Sequence, residues 1–289
     1  MSIYTYKSYA KVNFALDIVS RRDDGYHKLK TIMQRISMYD ILTFEKNDSS
    51  KVTISSNIDI SDEQDNLVYK GANKIFDFAD KDLNKGLHIH IEKHIPMQAG
   101  LGGGSSNCGT TLLAINEIYE LGLSKETLVD IGASLGADVP FFLYNTPMLC
   151  TGIGEILEPV NPCPKCFVLV AKPKFSISTA KIFKGLNPDS FFENPKFENV
   201  IKGFCDNDID LISKNLFNKL EDVSIALYPQ IQAIKDIMLN SGGKATLMSG
   251  SGSSVFGIFE KEENALLCKG SLDKSDINFD RIQVCTPIN

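Results

Sequence analysis

The chain has 289 residues, 43% hydrophobic and 23% charged, with a net charge of -6 and a pI near 5.3. That is enough material for two packed cores, while the acidic balance excludes a general binder of nucleic acid or anionic membrane, which needs a basic field to displace counterions. No run of about 18 apolar residues offers a membrane span, and the start MSIYTYKSYAKV lacks the basic and apolar regions of an export signal, so a cytoplasmic protein with reduced thiols is expected.

In chain order, residues 9 to 19 alternate, with Val12, Phe14, Leu16 and Ile18 on one face and Lys11, Asn13 and Asp17 on the other, predicting a half-buried strand. Asp24-Gly25 predicts a tight hairpin, with the chain returning through Tyr26, His27 and Leu29. Strands are expected at Met38 to Glu45 and at Lys51 to Ser55. Helical spacing over Asn66 to Phe78 follows, with Asp65 or Asn66 as N-cap. Leu87, Ile89 and Ile91 alternate with His88, His90 and Glu92 in another strand. The three histidines 88, 90 and 94 lack a carboxylate or thiol at matching spacing and read as a solvated strand face rather than a metal site.

Next comes Gly100-Leu101-Gly102-Gly103-Gly104-Ser105-Ser106-Asn107, with four glycines in five positions. Each glycine costs about 0.5–1 kcal/mol relative to alanine, so something must require them. A backbone without Cβ atoms can curl around an anion and aim successive N–H groups at it, helped by the positive end of the helix expected from Asn107 to Leu121. No GK[ST] follows and the spacing is not GxGxxG, so neither a Walker loop nor a dinucleotide fingerprint is present. A second helix is expected from Lys125, capped by Ser124 and ended by Gly136, just ahead of Asp138.

The proline- and glycine-rich stretch from Gly152 to Lys165 is the candidate connection between domains 1–158 and 159–289. Cys163 and Cys166 within it form a CxxC with no second half-site, which favours a structural role over zinc or redox chemistry. A second glycine loop, Met248 to Ser254, is either a tight turn or a ligand-facing loop, and gains weight if it lies against the first.

Three segments in this order, Ala10 to Asn13, Pro96 to Asn107 and Lys244 to Phe259, resemble the GHMP kinases. AKVNFAL, RRDDGYHKL, DNLVYKG, PMQAGLGGGSSN, LGADVPFFL, TGIGE and KPKFSIST resemble the branch of that family acting on a cytidine-diphosphate-linked methylerythritol in the non-mevalonate route to isoprenoids. The resemblance implies an α+β, two-domain GHMP kinase fold, with an N-terminal ribosomal protein S5 domain 2-like lobe, a C-terminal ferredoxin-like lobe and an active site in the cleft between them. It implies ATP and Mg2+, with no protein ligand for the metal assigned.

By the same resemblance Pro96, Gly100, Leu101, Gly102, Gly103, Gly104, Ser105 and Ser106 surround the phosphates, and Asn66 and Lys93 lie near adenosine. Asp138 is the base and Lys11 its charge partner. Tyr26, His27 and Phe183 hold the cytosine, and Asn13 and Thr179 meet the diphosphate or the polyol. A carboxylate beside an ammonium suits phosphoryl transfer, which demands alignment and charge compensation rather than covalent chemistry. Two departures stand out: Gln98 replaces a small residue, and Cys108-Gly109 replaces two alanines. A kinase for homoserine or a mevalonate derivative, or a non-catalytic nucleotide-binding protein, remains open on the residues alone, as do a monomer and a homodimer. The aromatic slot argues against a small aliphatic acceptor, and the Lys11 and Asp138 pair against a protein that only binds.

Overall fold

The structure is a computed structural model and describes residues 2–21, 27–59, 63–79, 85–187, 191 and 193–289. Along the chain run strands β1 (Ile3–Arg21), β2 (His27–Lys46) and β3 (Val52–Ser56), helix α1 (Leu67–Phe78), strand β4 (Leu87–Glu92), and helices α2 (Gly103–Ile118) and α3 (Lys125–Leu135). A 3-10 turn at Pro140–Leu143 leads to β5 (Met148–Thr151), β6 (Ile156–Pro159), β7 (Phe167–Pro173), α4 (Thr179–Lys184), α5 (Lys196–Cys205), α6 (Ile209–Asn215) and β8 (Phe217–Asn218). The last elements are α7 (Glu221–Leu227), α8 (Gln230–Asn240), β9 (Ala245–Met248), β10 (Val255–Phe259), α9 (Glu262–Asp273) and β11 (Phe279–Cys285). Among the described residues no helix is long and apolar enough to cross a membrane.

Two compact units form, and they interleave along the chain. One comprises residues 1–10, 38–95 and 102–145; the other comprises 11–37, 96–101 and 146–289. In the first, β4 pairs antiparallel with β2 from Ile41↔Glu92 to Lys46↔Leu87, and parallel with β3 from Val52↔Leu87 to Ser56↔Ile91. Leu87, Ile89 and Ile91 are buried and the intervening residues half-buried, as the alternation predicts. Val68, Ala72, Ile75 and Phe76 of α1, Leu112 and Ile115 of α2, and Leu128 and Ile131 of α3 close over that face.

In the second unit, β11-β7-β10-β9 form an antiparallel sheet. Ile231, Ile234 and Met238 of α8 and Ala265, Cys268 and Leu272 of α9 share a core with Leu169, Ala171, Val255 and Phe259 of its strands. Also here, β5 pairs with β2 at Thr31↔Cys150, and β8 pairs parallel with β1 at Leu16↔Asn218.

The first strand departs from expectation. It is buried on both faces from Ala10 to Ile18, so Lys11, Asn13 and Asp17 are covered rather than solvated. The cover is polar: Asn13 donates to the Thr31 hydroxyl (2.8 Å), and Asp17 accepts from the Asn194 N–H (2.7 Å) and lies 3.5 Å from the Lys219 ammonium. Such groups are tolerated inside only when paired. The predicted Asp24-Gly25 hairpin lies outside the described residues.

Candidate active site

Helix α2 starts four residues earlier than predicted. Gly102, at φ +70°, is its N-cap, and intrahelical bonding begins with the Ser106 N–H to the Gly102 carbonyl (2.8 Å). The N–H groups of Gly103, Gly104 and Ser105 therefore precede the helical ladder and carry its positive end. The sequence hides this start because a glycine run reads as loop.

The four glycines have different causes. At Gly100 (φ +74°) a Cβ would lie 2.0 Å from the Ser249 carbonyl oxygen, and at Gly103 it would lie 3.0 Å from Ile95 Cγ2 and 3.3 Å from Lys93 Nζ, so packing demands both. Gly104 differs: it is exposed, sits in the first helical turn, and its Cβ would meet only Leu67 Cδ1, at an ordinary 3.8 Å. Packing does not explain a glycine there, and it costs the helix about 1 kcal/mol against alanine.

Lys93 is fixed beside Gly103 by an ion pair with Asp40, whose side chain is fully buried and whose other carboxylate oxygen accepts the N–H groups of His94 and Ile95 (both 2.7 Å). Asn66 spends its side-chain oxygen as the cap of α1, accepting from the Val68 N–H. The Ser106 hydroxyl donates to the Tyr9 carbonyl (2.6 Å) and lies 2.7 Å from that of Ser8, which also contacts Asn107, stitching the helix start to β1. Asp138 is half-buried between α3 and the turn Pro140–Leu143. That turn lies close to α2 because Gly109 has no side chain: a Cβ there would meet Phe142 Cβ at 2.9 Å and the Val139 carbonyl at 3.4 Å. Gly109, which the sequence presents as a weak spot in a helix, makes room for the segment that carries Asp138.

In the second unit, the buried Lys11 ammonium donates to Asn13 Oδ1 (2.7 Å), and the Lys11 N–H bonds the Leu101 carbonyl (2.9 Å). Both ends of the Asn13 amide are thereby engaged. Pro96 opens the turn to Leu101, in which the exposed Gln98 takes a left-handed φ of +49°. The second glycine loop does lie against this turn. The Ser249 hydroxyl donates to the Gly100 carbonyl (2.9 Å) and the Ser254 N–H to the Ala99 carbonyl (3.2 Å). Thr179, at the exposed start of α4, shares a 2.7 Å hydrogen bond with Ser251.

The aromatic slot pairs His27 with Phe183, ring centroids 5.1 Å apart, and adds Phe191 edge-on at 5.5 Å. Burial, then the nearby Arg21 guanidinium, holds the His27 pKa below the usual histidine value, which favours a neutral ring able to accept a hydrogen bond. Phe191 carried no sequence signal, and Tyr26 lies outside the described residues. Lys172 was missed as well. It is buried, its ammonium donates to the carbonyls of Pro173 (2.7 Å) and Phe175 (3.0 Å), and desolvation lowers its pKa. The Phe175 carbonyl also accepts from the Ser253 hydroxyl (2.7 Å), so Lys172 and the second glycine loop share an anchor just ahead of Thr179. Cys163 and Cys166 are buried free thiols hydrogen-bonded to each other, which pushes the Cys163 pKa well up.

Residues 66–146 match the model of the GHMP kinases N terminal domain and residues 200–275 that of the GHMP kinases C terminal domain. A 4-diphosphocytidyl-2-C-methyl-D-erythritol kinase of Caldicellulosiruptor bescii is 41% identical over 90% of this chain and 91% of its own. This chain belongs to the GHMP kinase family. A crystal structure of 4-(cytidine 5'-diphospho)-2C-methyl-D-erythritol kinase superposes with a TM-score of 0.85 at 30% identity, covering 99% of this chain and 100% of that one. A homoserine kinase from Cytophaga hutchinsonii shares the fold, with a TM-score of 0.77 at 18% identity over 100% and 96% of the two chains. GHMP kinases use ATP as phosphoryl donor, so a small-molecule kinase fold surrounds the glycine-opened helix described above.

Proposed function

We propose that this GHMP kinase transfers the γ-phosphoryl group of ATP to the 2-hydroxyl of 4-diphosphocytidyl-2-C-methyl-D-erythritol, in the non-mevalonate route to isoprenoid precursors. The acceptor assignment is supported by the relatives that carry that name at 41% and 30% identity, and by the ring pair of His27 and Phe183, suited to a pyrimidine. The single observation that carries the donor assignment is Gly104, an exposed glycine in a helix start with no neighbour to demand it. Phosphates approaching the N–H groups of Gly103, Gly104 and Ser105 would explain its missing side chain.

In this reading Asp138 takes the acceptor's proton late in the transfer, and the Lys11 ammonium offsets charge at the same hydroxyl. Asn13, holding Lys11 and Thr31, aims that ammonium. Thr179 meets the polyol or the diphosphate, and Pro96, Gly100, Leu101, Gly102 and Ser106 shape the loop around the nucleotide. Asn66 and Lys93 border the adenosine side. Among the described residues no three His, Cys, Asp or Glu side chains converge as a metal site would require. With no protein ligand assigned, Mg2+ would be brought in with the nucleotide and would neutralise phosphate charge there. Seven free cysteines suit a reducing cytoplasm, and in this reading residues 1–158 form the N-terminal and 159–289 the C-terminal GHMP kinase domain.

The deciding assay offers the purified protein ATP, Mg2+ and a panel of acceptors, read by ADP release. Preference for homoserine or mevalonate over the cytidyl substrate would overturn the acceptor assignment. Asp138→Asn is expected to lower kcat by about 10²–10⁴-fold with ATP affinity changed only a few-fold; near-normal turnover removes Asp138 from the base role.

A further inference from the structure

Asn218 is buried, contributes no group to the proposed chemistry, and has its amide spent on a single task. Its Nδ2 donates to the carbonyls of Met248 (2.8 Å) and Gly250 (2.7 Å), and its Oδ1 accepts from the Leu220 N–H (2.9 Å). The two-residue strand β8 holds it in register with Leu16 of β1, so the donor is fixed to the strand that also bears Lys11 and Asn13. Three residues on, Glu221 accepts the Met248 N–H (2.8 Å) and pairs with the Lys235 ammonium (2.5 Å). Met248 is thus gripped at both its N–H and its carbonyl, and Gly250 is held at φ +56°.

What lies beyond those two carbonyls gives the grip its purpose. The intervening Ser249 donates its hydroxyl to the Gly100 carbonyl, and its own carbonyl stands where a Gly100 side chain would be, 2.0 Å from the ideal Cβ. An ideal Cβ at Gly250 would lie 3.4 Å from the Gly100 carbonyl and 3.5 Å from Asn13 Oδ1, the acceptor of the Lys11 ammonium. From Asn218, through the segment Met248–Gly250, the hydrogen bonds reach the turn at Gln98–Leu101, and Gly250 lies next to the Asn13 that fixes Lys11.

We infer that Asn218 is a positioning residue for phosphoryl transfer, which holds the Gln98–Leu101 turn and the Lys11 ammonium in place through the carbonyls of Met248 and Gly250. The inference rests on the assignment of Gly100–Ser106 as the phosphate loop. Only an amide fills the place: a carboxylate of the same shape would turn oxygen toward two carbonyl oxygens, and a shorter side chain would reach neither. A displacement of about 1 Å in a reacting group can cost on the order of 10²-fold in rate, so a loosened grip should be read in turnover rather than only in stability.

The test compares Asn218→Asp, Asn218→Ser and Gly104→Val with the parent protein by thermal unfolding and by steady-state kinetics, each at concentrations of folded enzyme. Both Asn218 variants should be folded at the assay temperature and lose about tenfold or more in kcat/KM for ATP. A residue that served stability alone would lower the melting temperature and leave kcat/KM per folded enzyme within about twofold, and that result overturns the inference, as does failure of both variants to fold at 25 °C. If Gly104→Val retains parental ATP kinetics, the phosphate-loop assignment itself fails. If Gly104→Val collapses while the Asn218 variants match the parent, the inference alone is lost.

Discussion

The two glycine loops look alike in sequence and are built to opposite ends. The first opens onto a helix start whose leading N–H groups have no intrahelical partner, and it contains in Gly104 an exposed residue whose Cβ would meet only an ordinary contact with Leu67. The second is tied inward on every side: Ser249 to Gly100, Ser251 to Thr179, Ser253 to Phe175, Ser254 to Ala99, and Met248 and Gly250 to Asn218. Glycine content alone does not mark a ligand site. What separates the two is that the first ends in helix N–H groups outside the helical ladder beside an exposed glycine, whereas the second spends its polar groups on the protein itself.

Three experiments press on that contrast. The sharpest is Gly104→Val, which fills space without striking protein; kcat/KM for ATP is expected to fall by about 10²-fold or more, while unfolding by denaturant moves by less than about 1 kcal/mol. A Gly104 variant that lost stability but kept its ATP kinetics would reverse the assignment of the two loops. Lys172→Met comes next and attacks the anchor of the second loop. It strips the Pro173 carbonyl of its ammonium donor and leaves Phe175 with one donor fewer, at a cost of about 1–3 kcal/mol measurable by urea titration. Ser249→Ala removes one hydrogen bond to Gly100, worth about 1 kcal/mol, and should raise KM for ATP several-fold; no change would mean that the second loop does not support the first.

The smallest effect is expected at His27, away from both loops. Its folded pKa lies below the usual histidine value of about 6.5, so the neutral ring and the stability that goes with it are fully present above that value and are lost as pH falls through the lowered folded pKa. KM for the cytidyl acceptor should rise over that acidic window while KM for ATP does not follow it. Parallel changes in both would place the titrating group elsewhere.

Much of this was legible in the sequence where local chemistry decides the outcome. Strand β4 alternates because only one of its faces meets the core, and α3 begins and ends at Ser124 and Gly136 because a side-chain cap and a glycine stop act within a few residues. The first strand misled because its polar face is covered by groups from distant parts of the chain, so alternation no longer signals exposure. Asp40 and Asn218 were invisible for a related reason: each is buried by virtue of backbone groups it serves, and those partners lie as far as 55 and 32 residues away along the chain. Of the proposed acceptor pocket, His27 and Phe183 could be picked from their motifs, whereas Phe191 could not.

Gly109 never needs to meet a substrate, yet the turn bearing Asp138 can lie close to α2 only because nothing projects from that position. A survey of inactivating substitutions would rank it beside the reactive groups, and a search for chemistry at that place would find none. Here a void in the side-chain inventory is the inherited trait, and tolerance at position 109 measures how much displacement the carboxylate can withstand.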